Sequence, residues 1–298
     1  MIYTWHFVTV LFSAACFAGF FGALLGVGGG IIIVPAMILI SQLPVKIAIA
    51  ASLVSVIATS NAGGSSYVDQ RISNLRLAMF LEVATTIGAL SGSILALYLQ
   101  AWLMLLIFAA LMAYMGFNAF VTRKADDRRI AGGDFSRGRA DRVAAFLRLR
   151  GSYHDEAEAR QVEYTVSGTP TGLAVSYLAG ITSGLLGVGG GVLKVSAMNQ
   201  SMNVPMKVAV GTSKLMIGVT ASVGAILFYL AGLVHFHVVA PVALGTTLGA
   251  TLGTMVMNRL RSSLLKWIFA LLMAYMAYNM IAKALGMRFH VMLPALGG

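Results

Sequence analysis

The chain carries the same glycine-broken apolar segment twice. GALLGVGGGIIIVPAM begins at Gly22 and GLLGVGGGVLKVSAM at Gly184. Shifted by 161 residues, the sequence aligns with itself without gaps from about 18 to 119. Residues 18–37 match 179–198 at 12 of 20 positions, and IFAALMAYMGFN (107–118) matches IFALLMAYMAYN (268–279) at 9 of 12. Pro44 and Lys46 fall on Pro205 and Lys207; Thr85, Thr86 and Gly88 fall on Thr246, Thr247 and Gly249. This is an internal duplication. Any fold for the chain must accommodate two copies of one unit.

Composition names the solvent. The 298 residues are 58% hydrophobic and 10% charged, with a mean hydropathy of +0.85; soluble domains carry about 25% charged residues. Each half has four apolar blocks, at 6–40, 45–64, 75–99 and 102–121, then at 170–200, 206–229, 237–257 and 264–283. Several approach the roughly 20 residues that cross a bilayer. Each glycine of the clusters weakens a helix by about 1 kcal/mol relative to alanine, so the first block of each half is predicted to break there. The expected fold is an all-α polytopic membrane protein of two repeats with about eight transmembrane segments. The number rises to ten if each broken block crosses twice. The expected units are 1–121, a polar linker at 122–168, and 169–298. Cys16 is the one cysteine, so no intrachain disulfide can form. The first apolar stretch has no Lys or Arg before it and reads as a retained segment, not a cleaved signal.

Charge supplies orientation. Eight of ten acids and ten of 21 bases lie in the linker, leaving Asp69 and Glu82 against eleven bases elsewhere. A net charge of +11 fits the enrichment of Lys and Arg in cytoplasmic loops. With no aromatic-basic platform, nucleic acid is excluded as a partner. Arg71 and Arg76 follow the second block, and the turn after the third is uncharged. In the second half the pattern reverses: AGLVHFH after the sixth block has no Lys or Arg, while Arg259, Arg261 and Lys266 surround the turn after the seventh. With the linker also cytoplasmic, the halves are inverted and both termini lie outside. That needs an odd number of crossings per half, three beyond a re-entrant hairpin or five in all. In the linker, RADRVAAFLRLR puts Val143, Phe146 and Leu147 on one helical face. It reads as a short amphipathic helix on an anionic membrane surface or as a solvated linker helix.

Inverted repeats with broken helices are the architecture of secondary transporters. Helices restarting near Ile31 and Val192 would present free N–H groups to an anion. The repeat also serves as its own control. Lys194 stands where the first half has Ile33, and Lys214 where it has Leu53; Ser196, Asn199 and Gln200 replace Pro35, Ile38 and Leu39. A lysine inside a membrane segment marks function unless it snorkels. The candidate substrate site is therefore Gly26, Gly28, Gly29 and Gly30 with Gly187, Gly189, Gly190 and Gly191 as backbone cradle. Lys194 and Lys214 would offset charge, and Ser52, Thr212, Ser213 and Asn199 would supply polar contacts. Ser52, Ser55, Thr59 and Asn61 in one half, and Thr212, Ser213 and Thr220 in the other, form hydroxyl stripes that also suit helix packing. Gly88, Gly92, Gly245, Gly249 and Gly253 follow small-xxx-small spacing and read as packing contacts. Glu82, whose counterpart is Ala243, either carries a coupling proton or pairs with a lysine. His235 and His237 read as plain loop residues, so no metal site is expected. GVGGGVLK fails the Walker pattern, since no Ser or Thr follows its lysine. No triad or nucleotide fingerprint appears, so an enzyme is not expected and no cofactor is required.

AGFFGALLGVGGGIIIVPAM and AGITSGLLGVGGGVLKVSAM resemble the paired signature of the TauE/SafE sulfite-exporter family of membrane permeases. The resemblance covers roughly 5–121 and 170–285; the long linker departs from it. It implies a multi-pass protein of the prokaryotic cytoplasmic membrane that moves sulfite, organosulfonates or related small anions. The expectation is a secondary transporter of a small sulfur oxyanion, with the anion, the bilayer and a coupling proton as partners. A second copy of the chain is an open alternative to a monomer. Competing readings are a carboxylate permease, an anion channel and a non-transporting scaffold.

Overall fold

A computed structural model of the chain describes residues 5–24, 29–69, 73–122, 141–155, 160–257 and 262–289. In the first half, α1 (Trp5–Leu24), α2 (Gly30–Leu39), α3 (Val45–Asp69), α4 (Leu75–Tyr98) and α5 (Ala101–Thr122) follow one another. In the second half α7 (Thr169–Leu186) leads to α8 (Gly191–Ser196), which continues as a π-turn over Ala197–Ser201. It is followed by α9 (Met206–Leu230), α10 (Phe236–Met257) and α11 (Ser262–Phe289). Each half thus supplies four long helices and one short one. Among the described residues six of the long helices, α1, α4, α5, α9, α10 and α11, are long and apolar enough to cross a membrane. The protein is an all-α polytopic membrane protein. The helix breaks fall at the glycine clusters, as expected. The short arm α2 has 10 residues, about 15 Å of rise or half of a hydrocarbon core.

The two halves interlock. Helix α1 packs along α10, and its counterpart α7 packs along α4; α3 packs on its own counterpart α9, and α5 on α11. Equivalent helices run antiparallel. The Ser60 hydroxyl on α3 donates to the Lys214 carbonyl on α9, while Gly224, further along α9, faces Leu53, earlier on α3. Likewise the Arg288 guanidinium at the end of α11 stacks 5.3 Å over the Trp102 ring at the start of α5, and Gly116 faces Met273. Antiparallel equivalents are what an inverted repeat requires. The close crossings are made at the predicted small residues. A Cβ on Gly88 would overlap the Tyr177 carbonyl oxygen, and one on its mirror Gly249 the Cys16 carbonyl.

Between the halves, the short helix expected in the linker is present as α6, Arg142–Phe146, with Val143, Phe146 and Leu147 exposed and Ala144 buried; the segment after it departs from expectation. Arg148 then takes a positive φ of 50° and the chain enters an antiparallel hairpin, β1 (Arg150–Asp155) and β2 (Arg160–Thr165). Alternation explains it: Gly151 pairs with Tyr164 and Tyr153 with Val162, so one face carries both tyrosines and Val162. That face covers Leu77, Ala78 and Leu81 of α4, Met198 and Met202 of the π-turn and its exit, and Val208 and Met216 of α9. Asp141 anchors the arrangement. Its carboxylate accepts from the Ala144 N–H and from the Thr169 N–H and hydroxyl, each at 2.7 Å, capping α6 and tying it to the start of α7. Partial burial works against this charge, but the hydrogen bonds outweigh it and hold the carboxyl below the ordinary aspartate value.

Candidate functional site

The glycine clusters of the two halves meet. A Cβ on Gly30 would lie 2.7 Å from the Gly187 carbonyl oxygen and 3.2 Å from Ser52 Oγ. Gly29, Gly187, Gly189 and Gly190 all have positive φ, between 60° and 79°, a conformation in which a side chain is strained. Gly26 and Gly28 lie outside the described residues. The two aligned serines brace the breaks. Ser52 Oγ donates to the Gly187 carbonyl at 2.8 Å, so a hydroxyl of the first half holds the cluster of the second. Ser213 Oγ donates to the Gly191 carbonyl at 3.2 Å.

One turn into α8 stands Lys194, whose side chain has 0% exposure. It has an internal counter-charge that its neighbours in sequence do not disclose. Nζ donates to Thr220 Oγ1 on α9 at 2.6 Å, and the Thr220 hydroxyl lies 2.8 Å from both Glu82 Oε1 on α4 and the Met216 carbonyl oxygen, the two acceptors for its one proton. Glu82 Oε2 lies 4.0 Å from Nζ, with its side chain 14% exposed. Thr86 Oγ1 approaches Oε1 at 3.5 Å. Glu82 Oε2 is buried without a hydrogen-bond partner. An ammonium, a hydroxyl and a carboxylate from three helices thus form one compact buried cluster. The desolvation cost of such a pair is large, and the bridging hydroxyl offsets part of it.

The other candidates are placed elsewhere. Asn199 lies in the π-turn, where Nδ2 donates to the Val204 carbonyl at 3.0 Å and fastens the turn. Thr212 Oγ1 accepts from the Asn74 N–H at 3.0 Å. Asn74 also caps α4 through the Leu77 N–H and donates through Nδ2 to the Tyr164 hydroxyl at 2.9 Å. Asn74 therefore couples the linker hairpin to the start of α4 and to α9. Lys214 is half-buried on α9. Two residues that the sequence did not mark as site residues matter here. Thr220 figured only in a hydroxyl stripe, yet it is the bridge. Lys283, which has no ionisable counterpart in the repeat, donates to the Ile38 carbonyl near the end of α2 at 2.7 Å, satisfying a helix end that would otherwise be orphaned at depth. Among the described residues no group of His, Cys, Asp or Glu could hold a metal ion.

Comparison with known proteins agrees with this architecture. The sulfite exporter TauE/SafE family matches over residues 11–280. A probable membrane transporter protein, YunE, of Bacillus subtilis (strain 168) is 23% identical over 283 residues, covering 93% of this chain and 98% of its own. A probable membrane transporter protein of Xylella fastidiosa (strain Temecula1 / ATCC 700964) is 27% identical over 269 residues, covering 89% and 92%. One from strain 9a5c is 27% identical over 270 residues, with the same coverage. No solved structure matches the chain. On its duplicated broken helices, its interlocked inverted halves and this match over nearly its whole length, the chain belongs to the sulfite exporter TauE/SafE family and is a membrane transporter.

Proposed function

We propose that the protein is a secondary carrier of a small oxyanion of the sulfite or organosulfonate class. It works by alternating access at a site between the two glycine-rich broken helices, in the cytoplasmic membrane of a prokaryote with the linker on the cytoplasmic side. The observation that carries the reading is Lys194. It is a fully buried cation in the short helix that restarts after the second glycine cluster, in a bundle whose mirror position is Ile33. Backbone freed from helical bonding is tolerated at membrane depth where it is buried or lines a cavity. The glycines let the two broken backbones approach closely, with Gly30 against the Gly187 carbonyl, and the lysine supplies the charge. No nucleotide-binding fingerprint accompanies the bundle, so gradient coupling is the economical drive.

The test is a stability panel on purified protein with sulfite, sulfate, thiosulfate, sulfoacetate, an aryl sulfonate, acetate and phosphate. A ligand at 100 times its Kd stabilises the native state by about 2.7 kcal/mol. Stabilisation by a sulfur oxyanion, abolished in Lys194→Ala, is the expected result. Stabilisation by acetate alone would move the reading to a carboxylate permease. Currents exceeding carrier turnover in planar bilayers would make it a channel.

A further inference from the structure

Glu82 occupies the place on Lys194 that an anionic substrate would need. Resting on the carrier reading above, we infer that the substrate displaces the Glu82 carboxylate from Lys194, and that Glu82 takes up one proton as it leaves. The carrier then moves one monoanion together with one proton.

Three observations converge on this. First, the pair is absent from the mirror site, where Ile33 of the first half and Ala243 of the second stand at the equivalent positions. Ile33 is fully buried in the apolar core, and Thr59, the mirror of Thr220, bonds only locally to the Ser55 and Val56 carbonyls at 3.2 Å. The same backbone packs without the charges, as buried ion pairs generally can be replaced by apolar side chains. The fold does not demand the pair. Second, the carboxylate is held loosely. Its contact with the ammonium is 4.0 Å, Thr220 mediates it, and Oε2 has no hydrogen bond. Oε2 is therefore the atom free to accept a proton, while Thr220 can keep its bond to Oε1. Third, charge must balance in a dry site. The resting pair is neutral. An added monoanion makes the cluster −1, which hydrocarbon disfavours strongly. Protonation of Glu82 returns it to zero. Empty and loaded forms are then equally neutral, and both can reorient.

The elements packed around Glu82 bring other titratable groups, Tyr177 on α7, Lys207, Lys214 and Tyr229 on α9, and Tyr164 on the hairpin. Of these and the other described groups, Lys194 is the base placed within 4.0 Å of the carboxylate.

The experiment uses purified full-length protein with methanesulfonate, a monoanion at every working pH, and sulfite as a second probe. Affinity is read from thermal stabilisation at a series of pH values between about 5.5 and 8.5. Proton uptake on binding is read with an indicator dye in weak buffer, corrected for the ionisation of sulfite. The expected result is one proton taken up per anion bound, with affinity falling about tenfold per pH unit at the alkaline end. Glu82→Gln should bind at least as tightly as wild type, independently of pH and without proton uptake. Binding with no proton uptake and no pH dependence in the wild type overturns the coupling and leaves the carrier reading intact. The wild-type proton count decides this even where Glu82→Gln does not fold. Absence of binding by either probe, in wild type and Glu82→Gln alike, overturns the sulfur-oxyanion reading and this inference with it.

Discussion

The short helices α2 and α8 descend from one duplicated segment and are chemically unlike. Nine of the ten residues of α2 are buried and all ten are apolar or glycine; Pro35 sits within the helix. Its one electrostatic service comes from outside, where Lys283 caps the Ile38 carbonyl. Helix α8 buries a lysine and relaxes into a π-turn ending in Asn199, Gln200 and Ser201. The backbone plan is symmetric while only one of the two short helices carries a charge. Duplication thus supplied a symmetric frame in which a lysine of the second copy and a glutamate of the first form a single counter-charged centre with no mirror image.

Moving the charge tests this contrast most severely. Ile33→Lys places an ammonium opposite Ala243, with no acid to meet it, and Lys194→Met leaves Glu82 without its cation. Ile33→Lys should cost about 3–5 kcal/mol of stability, the penalty of an uncompensated buried charge; Lys194→Met should cost less, because the stranded Glu82 can take up a proton. Adding Ala243→Glu to Ile33→Lys should recover a good part of the loss. Thermal unfolding in detergent reads all three, and a single Ile33→Lys as stable as wild type would show that the mirror site is not dry.

A smaller effect checks the symmetry of the frame. Gly88→Ala and Gly249→Ala each force a methyl onto a facing carbonyl, at Tyr177 and Cys16 respectively. Both should destabilise by about 1–3 kcal/mol, the usual cost of overpacking. Effects differing severalfold between the mirrored positions would mean that the α4–α7 and α1–α10 crossings are not equivalent.

The smallest effects belong to the linker, which has no mirror. Tyr164→Phe removes the hydrogen bond to Asn74 and should cost about 1 kcal/mol, seen as faster amide exchange in β1 and β2. Asp141 adds a pH dependence. Because its folded value is depressed, its stabilisation is fully present above the ordinary aspartate value of about 3.9 and disappears as pH falls through the depressed folded value. Limited proteolysis of the linker should therefore accelerate only at strongly acidic pH, and Asp141→Asn should be accelerated already at neutral pH. A linker equally resistant in that variant would show that the double cap is not what holds it.

Much of the frame was legible beforehand. The duplication, the break at each glycine cluster, four long helices per half, the inversion and the packing glycines all follow from repetition, hydropathy and side-chain size. The candidate site was legible in part. Lys194 stood out because Ile33 occupies its mirror position, yet Glu82 could be read either as proton carrier or as ion-pair partner. Ser52 and Ser213 were legible as polar groups suited to substrate contact or to helix packing, and the structure shows each donating to a glycine carbonyl. In the linker the short helix is legible from the spacing of Val143, Phe146 and Leu147, while the hairpin is not, because the tyrosines that pin it find their partners on α4, the π-turn and α9.

By itself the sequence determined what depends on local terms: the transfer free energy of each block, the conformational cost of glycine, and the repeat that places each segment twice. Tertiary structure alone decided the pairing of Lys194 with Glu82 through Thr220, and the seat of the hairpin on the bundle. Those contacts join residues far apart in the chain, on helices whose mutual rotation is set by packing. The energy of a buried charge depends on what packing brings within a few ångströms, and no local pattern records that.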